Sequence, residues 1–197
     1  MTPLTPGPLH VDAAAQATYA WARHDLPEPE AIVVLHAGDA ASALAFGQGV
    51  QPTLVCMPAL GMQTLSDRFF PEGRLDALAI ERAIMDVEDR VMPLHTQLPQ
   101  PSRLFAQNAA ITELAHWAGR PDPTAPWWFK TEAVEALFSR WTALALGRPA
   151  SQDPLPTDGR FSAALLVLRE CLHHWGFDGI TVLPWVPLES DKLLPTP

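Results

Sequence analysis

Apolar residues recur at helical spacing in four stretches of this chain, and prolines separate the stretches. The proline-free windows run 72–92, 102–120, 127–148 and 157–183. Proline is excluded from helix interiors because it lacks the amide donor and clashes with the preceding turn. In 75–92, Ala77, Ile80, Ile84, Val87 and Val91 line one side, with Arg82, Asp86, Asp89 and Arg90 on the other. In 132–146, Val134, Leu137, Phe138, Trp141, Leu144 and Ala145 share a face; in 161–175, Phe161, Ala164, Leu165, Leu168, Cys171, Leu172 and Trp175 do. The 102–118 stripe of Leu104, Ile111, Leu114, Ala115 and Ala118 also takes in Gln107 and Asn108. A period near 3.6 residues makes each an amphipathic helix. Gly119, Gly147 and Gly176 supply left-handed stops. Short connections between these helices favour antiparallel neighbours.

Ahead of these windows the pattern changes. Residues 9–25 carry alanines, Tyr19 and Trp21 without a breaker and predict a first helix, ended by Leu26-Pro27-Glu28-Pro29. Short apolar runs at 31–36, 53–57 and 180–183 predict buried strands. Asp39 can cap a helix over Ala40–Phe46, closed by Gly47. Strand, helix, strand is a βαβ unit with parallel strands. The expected fold is therefore α/β (or α+β): a small parallel three-stranded sheet with four long amphipathic helices. It forms a single domain over 1–197. Residues 1–8 are a loose N-terminal leader, 9–70 the strand–helix–strand part, and 71–183 a helical part with the final strand.

Composition narrows the class. Of 197 residues, 48% are hydrophobic and 18% charged, a globular profile with enough chain for a real core. The apolar run Ala163–Leu168 is far too short to span a bilayer, so no membrane segment is expected. The N-terminus lacks the basic start and apolar run of a secretory signal. Cys56 and Cys171 are too few for a disulfide framework, so a cytoplasmic protein with reduced thiols is expected. The formal net charge of −9 opposes a nucleic-acid partner, whose phosphates need a basic face.

Three groups of residues carry candidate chemistry. His36 and Asp39 lie at the carboxyl end of the first strand and Cys56 near the end of the next. Open α/β sheets bind ligands there, so these three form a candidate ligand-binding site. Against that, Asp39 can simply cap a helix and His36 pack on the strand end. The second group is a doubled Glu-x-x-His: Glu113 with His116, and Glu170 with His173. Residues three apart share a helix face and can reach one metal. With Glu81 or Glu88 in the first long helix and Glu132 or Glu135 in the third, spacing and order resemble ferritin-like di-iron bundles. That resemblance implies iron or manganese held by Glu81, Glu113, His116, Glu170 and His173. The helical wheel points most of these side chains away from the apolar stripes, which favours solvated faces, and no cofactor is predicted on that reading.

The third group is Trp127-Trp128-Phe129, just before the third long helix. Three successive aromatics cannot all enter one core from a helix entry, so one is expected at an interface with a partner or a second copy. No P-loop, nucleophile elbow or metalloprotease motif accompanies these groups. The leading expectation is thus a cytoplasmic accessory protein that docks through helical faces and exposed aromatics, as a homodimer or with a protein partner. The alternatives are a small-molecule-binding protein or enzyme with its site at the strand ends, and a di-metal helical protein.

Overall fold

The computed structural model describes residues 8–24, 26 and 30–185; the predicted leader lies outside them except for Pro8, which opens the first helix. The helices are α1 (Pro8–His24), α2 (Met62–Phe69), α3 (Ala77–Val91), α4 (Ala109–Trp117), α5 (Thr131–Ala145) and α6 (Gly159–Trp175). The strands are β1 (Ala31–Ala37), β2 (Ser42–Gly47), β3 (Thr53–Met57), β4 (Ser102–Ala106), β5 (Trp127–Lys130) and β6 (Gly179–Val182). They form one sheet in the order β3-β2-β1-β4-β6-β5. β1, β4 and β6 run parallel; β2 is antiparallel to β1 and β3, and β5 is antiparallel to β6.

This corrects the expected fold, since among the described residues the sheet has six strands and is mixed where three parallel ones were expected, and six α-helices accompany it where four long ones were expected. The 40–46 helix is a strand. Ala41–Phe46 is buried throughout, so it shows neither strand alternation nor a polar helix face, and its pairing with β1 from Ile32↔Gly47 to Ala37↔Ser42 decides the outcome. Helix propensity is a weak prior that such pairing overrides. The β1–β2 link is therefore a hairpin and not a crossover. Two proline-free windows hold a strand and then a helix: β4 with α4, and β5 with α5. Excluding proline is necessary for a helix but does not distinguish it from a strand.

Side chains on the two faces of the sheet enter two cores. Val33, Leu35 and Ala37 of β1 join the larger one with α2 to α6. Ile32 and Val34 join a smaller one under α1. α6 is central to the larger layer and packs against α2, α3, α4 and α5. Thirteen of its 17 residues are buried, which leaves little room for a polar face. Trp141 donates its indole N–H to Ser162 Oγ at 3.0 Å and Trp175 to the Val91 carbonyl at 2.9 Å, so both buried indoles are satisfied. Among the described residues no helix is long and apolar enough to cross a membrane.

Candidate functional site

The carboxyl ends of β1 and β4 meet the amino ends of three helices. The β1–β2 turn, Gly38 to Ala41, is held by the first turn of α2. The Met62 amide donates to the Gly38 carbonyl and the Gln63 amide to the Asp39 carbonyl, both at 2.9 Å. Ser42 Oγ donates to the Leu60 carbonyl at 2.5 Å. A Cβ on Gly61 would lie 2.4 Å from the Asp39 oxygen and the Ala40 carbonyl carbon, so only glycine allows this approach. The N-terminal amides of α2 are thus consumed by the turn they clamp.

α4 and α6 leave more open ground. Asn108 caps α4, accepting from the Ile111 amide at 2.9 Å, while its own amide donates to the Ala37 carbonyl at 2.8 Å. One side chain therefore ties the start of α4 to the end of β1. Asp158 caps α6, accepting from the amides of Arg160 at 3.1 Å and Phe161 at 3.0 Å. The Arg160 guanidinium reaches Asp39 Oδ1 at 2.5 Å, joining α6 to the hairpin turn. Between the two helix starts lies a cavity of about 190 Å³ lined by Ala109, Ala110, Glu113, Asp158, Arg160 and Phe161. Although Glu113 is exposed, the cavity wall removes part of its hydration, and with nearby Asp158 this raises its pKa.

No protein-family model matches the chain, and no curated protein matches its sequence. Solved structures do match in shape. Its fold is that of the Ppx/GppA phosphatase structures. The type II Ppx/GppA phosphatase of Aquifex aeolicus superposes with a TM-score of 0.70 at 15% identity, over 88% of this chain and 60% of that one. An exopolyphosphatase from Cytophaga hutchinsonii gives 0.63 at 15% identity, over 87% and 59%. An exopolyphosphatase-like protein gives 0.67 at 15% identity, over 91% and 63%. The chain thus spans about three-fifths of the length of these structures.

Of the residues expected at the strand ends, the structure brings only Asp39 to the cavity, through Arg160. Cys56 and His36 both stand opposite Ala43 in the strand register, one in β3 and one in β1. They share the face under α1, two strands or about 9.5 Å apart. Burial lowers the His36 pKa, which keeps the imidazole neutral, and among the described residues its Nδ1 has no hydrogen-bond partner. Burial, followed by Asp12, raises the Cys56 pKa and disfavours the thiolate. Cys171 is fully buried in the core and its pKa is pushed far up.

The five residues proposed for two metals do not converge. Glu81, Glu113, His116 and His173 are exposed, Glu113 and His116 together on α4 and the other two on α3 and α6, while Glu170 is buried. Glu170 instead meets Glu88 and His174. The aromatic run also needs correcting. It is β5, not a helix entry, and the pleat sends successive side chains to opposite faces. Phe129 is buried, Trp127 stacks on it at 5.0 Å, and Trp128 points outward. Trp128 is thus the most exposed aromatic of the run, and the neighbouring folds are those of phosphatases and exopolyphosphatases. The accessory-protein label conflicts with those folds, which favour the alternative of a small-molecule-binding protein or enzyme over the docking reading.

The residues that sequence reasoning missed are Asn108, Asp158 and Arg160. A signal for two of them existed: Asn and Asp just before an apolar-periodic run mark helix caps. Nothing in the sequence placed Arg160 beside Asp39, which lies 121 positions away.

Proposed function

We propose that this chain binds a small phosphate-bearing molecule at the carboxyl ends of β1 and β4, and hydrolyses it. The observation that carries the reading is the cavity between the starts of α4 and α6, with Arg160 at its mouth. Asp158 already takes the Arg160 and Phe161 amides of α6, so it is the start of α4, where the Asn108 side chain takes the Ile111 amide, whose amides and positive dipole end suit an anion. Ala109 and Ala110, in the first turn of α4, line the cavity without bulk that would block an approach. The phosphatase and exopolyphosphatase names of the matching folds support the same ligand class.

Arg160 and Asp39 are both more than half exposed in their pair. An exposed ion pair contributes about 0–1 kcal/mol, so a phosphate can displace Asp39 from the guanidinium at little cost. Asp39, Glu113 and Asp158 outnumber the single arginine, and a phosphate therefore enters with a divalent cation that offsets their charge. Glu113 is the group in the cavity suited to take a proton from attacking water, because its raised pKa moves it toward the range of an effective base. In that step the water oxygen bonds to phosphorus as the bond to the leaving oxygen breaks, and the leaving oxygen takes up a proton.

The test is binding of pyrophosphate and short polyphosphate by calorimetry with and without Mg²⁺, together with assay of orthophosphate release. Arg160→Ala is expected to weaken binding at least tenfold, and Glu113→Gln to reduce release while sparing binding. A parent protein that neither binds nor hydrolyses these compounds overturns the reading.

A further inference from the structure

The opposite end of α6 holds a second cluster. Glu88 of α3 with Glu170 and His174 of α6 bring two carboxylate oxygens and one imidazole nitrogen within 4.8 Å of one another. Glu88 Oε1 lies 2.9 Å from His174 Nε2, and Glu170 Oε2 lies 3.4 Å from the same nitrogen. Glu170 and His174 stand one helical turn apart, so they project from one side of α6 toward α3. Glu170 is buried to 1% exposure, an expensive position for a carboxylate without a cationic partner. Arg169 takes its Oε1 at 2.6 Å but is shared with Glu135 at 3.0 Å, and Oε2 is left facing the imidazole.

We propose that Glu88, Glu170 and His174 form a binding site for a single divalent transition-metal ion, zinc in the first instance. Zinc accepts carboxylate oxygen and imidazole nitrogen at about 2.0–2.2 Å in tetrahedral geometry, which spaces its ligand atoms by about 3.3 Å. The Glu170–His174 pair already has that spacing, and the Glu88–His174 pair needs to open by only a few tenths of an ångström. The imidazole argues against calcium or magnesium, which prefer oxygen alone. The Glu88 and His174 side chains keep 35% and 16% of their exposure, which leaves an entry path and room for a water as fourth ligand. Ten residues of helix separate Glu170 from Arg160, about 15 Å. The site is therefore distinct from the strand-end cavity and stands or falls without it.

The test is titration of the chelator-stripped full chain with zinc sulfate, followed by calorimetry and by the shift in melting temperature. The expected result is one equivalent bound, with a rise in melting temperature. His174→Ala and Glu88→Gln should each weaken binding at least tenfold and abolish the rise. Glu88 is partly exposed, so Glu88→Gln keeps the fold even if the histidine variant does not. His173→Ala removes the adjacent exposed imidazole and should bind like the parent. A parent that binds no zinc, or a His173→Ala loss equal to that of Glu88→Gln, overturns the proposal and leaves a hydrogen-bonded clasp between α3 and α6.

Discussion

At the residue scale, Glu170 shows how burial can turn a side chain that reads as solvated into one that governs pH response. The wheel placed it opposite an apolar stripe, but α6 is surrounded on nearly all sides, and the stripe argument fails for such a helix. Burial raises the Glu170 pKa against the pull of Arg169, with smaller contributions from Glu88 upward and His174 downward. The folded state therefore holds its proton to higher pH than the unfolded chain, whose glutamates titrate near about 4.3. Stability from this group is complete below that value and is lost as pH rises through the folded pKa. Glu170→Gln lacks that loss. Measured by urea unfolding in chelator, the stability of the variant relative to the parent should thus increase from pH 4.5 to pH 7. A difference that is flat or decreasing across that interval would show that Arg169 holds the carboxylate ionised throughout.

Helices were legible where one face was wet. α3, α4 and α5 follow from periodicity, because their outer faces are polar, and α1 from an unbroken stretch over 9–25 without proline or glycine. β2 and β4 were not legible, since Leu44, Ala45, Leu104 and Phe105 are buried and present no contrast to read. β5 carried a readable signal in its alternation, with Phe129 buried and Trp128 exposed, but three adjacent aromatics obscured it. The pleat now makes opposite predictions for neighbours. Phe129→Ala should cost about 3–5 kcal/mol, as for a large buried aromatic. Trp128→Ser should cost under about 1 kcal/mol, because half of that ring is already in solvent. Chemical denaturation of the two variants checks this. Equal losses would mean that Trp128 is anchored where it crosses Gly179, against which its indole lies.

On the scale of the whole molecule, the sequence placed the three expected strands at the positions of β1, β3 and β6 but could not order them. Adjacency of β1 with β4, and of β4 with β6, depends on contacts tens of residues apart that no local pattern encodes. The candidate cavity was hidden for the same reason: Asp39, Glu113 and Arg160 come together only when the sheet brings its strand ends into line. That dependence bears on how the protein unfolds. α1 covers the sheet beside β1, β2 and β3, while α6 sits at the centre of the other layer, and β1 lends side chains to both cores. A sheet shared in this way cannot keep one core while losing the other. Leu168→Ala, at a fully buried position of α6, should cost about 2–5 kcal/mol. It should shift far-UV circular dichroism and tryptophan fluorescence transitions together, since a single cooperative unit gives coincident probes. If instead the helical signal of α1 persisted beyond loss of the buried Trp141 and Trp175 environment, the two layers would be separate folding units and the strand-end site would rest on the α6 layer alone.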